Sequence, residues 1–211
     1  SWSIPESIGF VNLIGNQARV AIIDNNLSAR NYDISNAPFE IKGDINLTTP
    51  DGGEVWYAGD TRAINWTRYG KMSSTTSNIS ISDNYGAGNW TVINNSLTQS
   101  AAACDGADSD CTYNWAIPDT VPTGSNKMKV KVTWNGDAGN VSDASTNNFT
   151  IKAKLQITQP IASAQWLAQD NGTINWTKNG TWTPNTANLY YQIGGGAGNA
   201  IATGNAANLT Y

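Results

Sequence analysis

The sequence contains a copy of part of itself. Asp44 to Gly70 reads D-I-N-L-T-T-P-D-G-G-E-V-W-Y-A-G-D-T-R-A-I-N-W-T-R-Y-G, Lys154 to Gly180 reads K-L-Q-I-T-Q-P-I-A-S-A-Q-W-L-A-Q-D-N-G-T-I-N-W-T-K-N-G, and the two align without a gap. Pro50 falls on Pro160, Trp56 on Trp166, Ile64-Asn65-Trp66-Thr67 on Ile174-Asn175-Trp176-Thr177, and Gly86-Ala87-Gly88-Asn89 on Gly196-Ala197-Gly198-Asn199. The offset of about 110 residues is a domain-sized period. A second pair of segments repeats in the opposite part of the chain: Trp2-Ser3-Ile4-Pro5-Glu6 matches Trp115-Ala116-Ile117-Pro118-Asp119, and Asp33 through Phe39-Glu40-Ile41-Lys42 matches Asp143 through Phe149-Thr150-Ile151-Lys152.

These pairings divide the chain into residues 1–42, the back half of one repeat, residues 43–152, a whole repeat, and residues 153–211, the front half of the next. Tyr211 matches Tyr113, and reading Tyr211 on into Ser1 gives N-L-T-Y-S-W-S-I-P-E, close to the internal T-Y-N-W-A-I-P-D. The expectation is a chain cut in mid-domain. Either it is one period of a longer run of domains, or each molecule's front half is completed by the back half of a neighbour, as in strand-exchanged polymers; both arrangements run head-to-tail. A half sandwich alone would expose an apolar face and unpaired strand edges, so copies of the chain or adjacent repeats are the expected partners.

Period-two alternation announces strands throughout. In T-R-A-I-N-W-T-R, Ile64 and Trp66 share one face while Asn65 and Thr67 share the other; Met128, Val130, Val132 and Trp134 do the same opposite Lys127, Lys129, Lys131 and Thr133. Ile79 and Ile81 form a third inward pair. Turn clusters such as T-T-P-D-G-G, D-N-Y-G-A-G-N and N-G-D-A-G-N separate the strands. About seven or eight short strands per period and no helix predict an all-β chain of tandem immunoglobulin-like β-sandwiches, one complete domain flanked by two half domains.

Chemistry-bearing residues are sparse. There is no His for a triad or mixed zinc site, and the carboxylates lie in turns, so the reading is of a chain that is not an enzyme and has no cofactor. A net charge of −4 without a basic stripe argues against nucleic acid, and no apolar run approaches the roughly 20 residues of a membrane helix, so membrane insertion within these residues is not expected. Cys104 and Cys111 bracket the loop C-D-G-A-D-S-D-C and read as a disulfide, which fits an oxidising compartment. That loop belongs to an insertion of about a dozen residues that the second copy lacks. Asp105, Asp108 and Asp110 in it offer oxygen ligands of the kind Ca²⁺ takes, in an order unlike an EF-hand; a solvated loop is the plainer reading.

Two surface chemistries remain. Trp66, Trp115, Trp134 and Trp176 are expected in the core, whereas Tyr85, Trp90 and Trp182 lie nearer loops and could stack on sugars, which makes an adhesin or carbohydrate-binding module the second functional reading. Asn26, Asn46, Asn65, Asn78, Asn89, Asn94, Asn140, Asn148, Asn171, Asn175, Asn179 and Asn208 each open an N-x-S/T sequon. Alternating Asn and Thr also arise because both are good polar strand residues, so the sequons have a structural explanation beside the glycoprotein one. With only 13% charged residues, the solubilising surface is amide, hydroxyl or sugar.

The motif I-x-L-x-x-P-x-G-G-E-x-W-x-x-G with I-x-W, W-x-I-P-D and a closing F-x-I, at Ile45 to Trp66, Trp115 to Asp119 and Phe149 to Ile151, resembles a family of Ig-like domains of large microbial surface proteins. It is also similar to the N-terminal Ig-like domain of the Ser/Thr-rich, GPI-anchored yeast cell-wall family. The resemblance implies an extracellular or cell-surface setting and no catalytic residues. The second copy departs from it, with Ile161-Ala162-Ser163-Ala164 in place of Asp51-Gly52-Gly53-Glu54. The expected function is a structural repeat of a surface stalk, sheath or filament.

Overall fold

Extended, alternating segments bounded by turn residues can bury only one face each, so they must stack in layers. The computed structural model describes residues 1, 3–5, 7–8, 11–24, 32–70, 72, 76–98, 102, 104, 109–137, 139, 141–169, 171–183 and 185–205. Six short strands come first: β1 (Ser7–Ile8), β2 (Val11–Asn12), β3 (Gly15–Ala18), β4 (Ala21–Ile23), β5 (Tyr32–Ile34) and β6 (Phe39–Ile41). The middle of the chain supplies β7 (Asp44–Thr49), β8 (Val55–Tyr57), β9 (Thr61–Tyr69), β10 (Ser77–Ser82), β11 (Thr91–Leu97), β12 (Ser109–Ala116), β13 (Gly124–Trp134), β14 (Ser142–Ala144) and β15 (Phe149–Lys152). Then follow β16 (Lys154–Gln159), β17 (Asn175–Asn179), β18 (Thr186–Tyr191) and β19 (Asn199–Asn205).

Strands β7 to β15 build a two-sheet sandwich. One sheet has the order β12-β9-β7; the other runs β11-β10-β13-β15-β8, with β14 also on β13. Every pairing in it is antiparallel except β15 with β8, which is parallel and leaves β8 on the edge. This is the strand order of an immunoglobulin-like fold, in which the first strand divides between the two sheets. Both sheets turn their alternating apolar residues inward, so Ile45, Leu47, Ile64 and Trp66 meet Ile79, Met128, Val130, Val132, Phe149 and Ile151, all buried. The Trp56 ring, on β8, packs 4.8 Å from Phe149 and edge-on to Trp115 of the opposite sheet at 6.3 Å, tying the layers together.

Two side chains depart from the alternation. Ser80 and Ser82 are buried although they face away from Ile79 and Ile81; their hydroxyls are used locally, Ser80 donating to Asn78 Oδ1 and Ser82 accepting from the Asn84 amide. Trp134, expected in the core, is only half-buried, because it ends β13 where the sandwich opens.

The insertion that carries the cysteines closes that open end. Cys104 and Cys111 are joined, and both are buried with Ala102 beside Leu97 and Met72, while Cys111 stands opposite Trp66 in the β12–β9 ladder. Both cysteines and Ala102 therefore belong to the core, while Asp110 between them is exposed and residues 105–108, read as a solvated loop, lie outside the described residues. Because the crosslink closes a short loop, its loss should cost about 2–3 kcal/mol. A urea midpoint measured with and without reductant is expected to fall accordingly, and an unchanged midpoint would show that the buried bond contributes nothing.

The acidic turn of the first copy has a structural use. Glu54 accepts from the Asp51 and Gly52 amides, both at 2.9 Å, and Asp51 in turn accepts from the Thr146 amide. The second copy has Ala164 at the Glu54 position, and there the turn is closed by its backbone alone, Ala164 N–H donating to Ile161.

Candidate functional site: two uncovered sheet faces

The flanking segments fold into the same pieces of sandwich. Strand β16 pairs with β17 as β7 pairs with β9: Ile157 stands opposite Trp176 as Leu47 stands opposite Trp66, and the register slips at the next residue in both. At the other end, β4 and β5 pair Ala21, Ile22 and Ile23 with Ile34, Asp33 and Tyr32, the register of Lys131, Val132 and Thr133 with Ala144, Asp143 and Ser142. Ala18 opposite Phe39 likewise repeats Met128 opposite Phe149. Strands β18 and β19 form a hairpin like that of β10 and β11.

What differs is cover. Val132 is 0% exposed, whereas Ile22, its counterpart, is 74% exposed; Leu47 is 4% exposed and its counterpart Ile157 is 60% exposed. Val20 and Phe39 before the central sandwich, and Leu155, Tyr190 and Tyr191 after it, are likewise exposed. Among the described residues, β1 to β6 pair only with one another, and β16 to β19 form ladders only with one another. Trp176, expected to be a core residue equivalent to Trp66, is only half-buried. Trp166, the counterpart of the buried Trp56, is more than half exposed, and its segment is not a strand. The reason lies in the pairing: β8 pairs only through its parallel ladder to β15, and among the described residues nothing plays β15 to residues 164–167.

The central sandwich meets its neighbours through tight junctions built alike on both sides. Only Ala153 separates β15 from β16, and Lys42 and Gly43 separate β6 from β7. Gly180, at φ 92°, inserts where a Cβ would lie 2.7 Å from Thr123 Cγ2 and 3.1 Å from Ala153 Cα; Gly70, at φ 86°, does the same against Ile14 and Gly43. The Gly180 and Thr181 amides donate to Asp119 and Val121, and the Thr123 amide donates to Thr181. Lys154 bridges to Asp60 at 3.1 Å, and that hydrogen bond, with a second from Arg62, holds the Asp60 carboxyl below its ordinary pKa. A lowered carboxylate pKa favours the folded junction at neutral pH, and this contribution is lost as pH falls through the lowered value. Gly180→Val strains the backbone and collides with Thr123, so trypsin should cut at Lys152 and Lys154 several-fold faster than in Gly139→Val, which meets open space without a left-handed φ. Equal rates in the two variants would mean that the junction is not held closed there.

The sequence-selected residues fare unequally. Of the aromatic candidates, Tyr85 is exposed, but Trp90 and Trp182 are half-buried and each has a lysine ammonium, from Lys131 and Lys178, 4.5 Å over its ring. One face of each ring is therefore occupied by a lysine. Among the sequons, Asn46, Asn89 and Asn171 are exposed. Asn65, Asn78, Asn94, Asn148, Asn175 and Asn179 are partly buried; Asn78 and Asn94 hydrogen-bond their own sequon serines, and Asn148 and Asn175 each hold a buried Oδ1. Asn26, Asn140 and Asn208 lie outside the described residues, as do Asp105 and Asp108. Asp110 is exposed on β12 and accepts from Thr67 at 2.8 Å; no group of metal-binding side chains occurs among the described residues. The uncovered faces are what sequence reasoning located only by implication, through the repeat.

Fold and surface together define an immunoglobulin-like β-sandwich with further sandwich pieces attached at both ends. No protein-family model matches the chain, and no curated protein matches it. Among solved structures, it is similar to the fibronectin(III)-like modules of Clostridium thermocellum CbhA, with 16% identity, 79% of this chain and 76% of that chain covered, and a TM-score of 0.23. So slight a likeness leaves the strand order as the ground for the fold class.

Proposed function

We propose that this chain is a non-catalytic structural repeat of an extracellular stalk, sheath or filament, continued head-to-tail by completion of split Ig-like domains. Residues 153–211 act as the front half of a sandwich and residues 1–42 as the back half, and each half is covered by the other half from a second copy. The observation that carries the reading is the identity of register between flanks and centre, combined with opposite exposure: Ile22 and Ile157 occupy the places of Val132 and Leu47. Removing these apolar side chains from water favours association by about 1.5–3 kcal/mol each before the cost of ordering. A heterologous contact of this kind leaves a free half at each end and nothing in it requires closure, so it propagates unless the rotation between copies closes a ring.

Supporting features agree with an extracellular setting. A buried disulfide suits an oxidising compartment, and the short, glycine-wedged junctions suit a stiff rod. Among the described residues, the exposed sequons at Asn46, Asn89 and Asn171 are positioned to carry sugar where the host's export pathway adds it. A sugar-binding function is less well served, because two of its three candidate rings are capped by lysines. Electron microscopy of the concentrated chain is the test: unbranched fibres of one domain's width support the reading, and isolated globular particles at every concentration contradict it.

A further inference from the structure

The pairing absent from both flanks can be read from the centre. There β10 runs antiparallel to β13, with Asn78 opposite Thr133, Ile79 opposite Val132, Ser80 opposite Lys131 and Ile81 opposite Val130. Transferred by the repeat, β18 would face β4 with Asn188 opposite Ile23, Leu189 opposite Ile22, Tyr190 opposite Ala21 and Tyr191 opposite Val20. The named ladders give β18 one partner, β19, and give β4 one partner, β5, so each has an edge to offer. Resting on the head-to-tail reading above, we propose that β4 of one copy adds antiparallel to β18 of a second copy in this register, and that β6 adds parallel to residues 165–167 with Ile41 opposite Trp166.

Three observations select this occupant. From Thr186 to Asn205 the chain has no charged residue, although an edge strand that stays in solvent is ordinarily blunted by charge, and β4 is equally uncharged. The apolar phase fixes the register: Val20 and Ile22 lie on the inward side, and a slip of one residue would turn them outward and carry Arg19 into the core. The parallel ladder follows from Ile151 opposite Trp56, and it would supply residues 165–167 with a strand partner and Trp166, exposed where Trp56 is buried, with cover. That segment then becomes a strand on binding, so part of the site is made by its occupant.

Cysteine pairs on the outward face test the register without entering the core. Ile23→Cys and Asn188→Cys are placed in the 211-residue chain, each alone and together, with Ala21→Cys plus Asn188→Cys as the register slipped by two. Under mild oxidation the Ile23/Asn188 pair should give a ladder of covalent multimers, at least tenfold more than the slipped pair, and a mixture of the two single variants should give a covalent heterodimer. Sedimentation of the parent chain separates the two levels of failure. If the parent associates but the slipped pair crosslinks as well or better, the register is wrong while head-to-tail completion stands. If the parent is monomeric throughout, or the crosslink forms within one chain, completion itself fails and the register with it.

Discussion

Trp66→Ala should unfold the central sandwich, while Trp176→Ala, the same change at the same place in the repeat, should cost markedly less in the unassembled chain. Trp66 is 2% exposed, between Leu47 on β7 and Cys111 on β12, and facing the opposite sheet. Truncating such a residue removes its transfer free energy and leaves a cavity, together about 3–5 kcal/mol, a large part of the 5–15 kcal/mol that holds a typical domain. Trp176 sits opposite Ile157 in an identical register but is only half-buried, so its truncation should cost markedly less than that of Trp66 until the chain assembles. Urea denaturation followed by circular dichroism distinguishes the two variants. Equal midpoint losses would mean that the second copy is already packed within its own chain.

Ile22→Asp should have the largest effect on assembly and almost none on the lone chain. Ile22 is mostly exposed on β4, so a carboxylate there is solvated in the free molecule. In the completed sandwich it would occupy the position of Val132, which is fully buried, and an unpaired carboxylate in such a place costs several kcal/mol. A cost of about 3 kcal/mol already weakens self-association more than 100-fold. Light scattering across a dilution series is the measurement, with Ile193→Asp as the control, since Ile193 is exposed in the turn after β18 and has no place in the ladder. Association unchanged by Ile22→Asp would remove β4 from the interface.

The strand phases were legible because period-two alternation needs no tertiary information: Ile64 with Trp66, and Met128 with Val130 and Val132, all face inward as their spacing indicates. The repeat was legible where identities are dense, as at Ile174-Asn175-Trp176-Thr177. It was not followed from Gln17 to Ile23 against Lys127 to Thr133, where Val20 and Val130 are the one identical pair and the strands match in register more than in residue type. Spacing also could not say that Lys131 and Lys178 would cover Trp90 and Trp182, since Trp90 precedes β11 while Lys131 lies on β13, beyond β10 in the sheet, and Lys178 meets Trp182 across a turn. Nor could it give the burial of Trp166 or Trp176. Burial belongs to a pair of sheets, and among the described residues the central sandwich is where both are present.

The account stands on completion of each flank by another copy, and sedimentation velocity of the intact chain over a wide concentration range tests it most directly. The prediction is a concentration-dependent series of species at successive multiples of 22.5 kDa, without a dominant closed oligomer. A single species of 22.5 kDa at every concentration would contradict it.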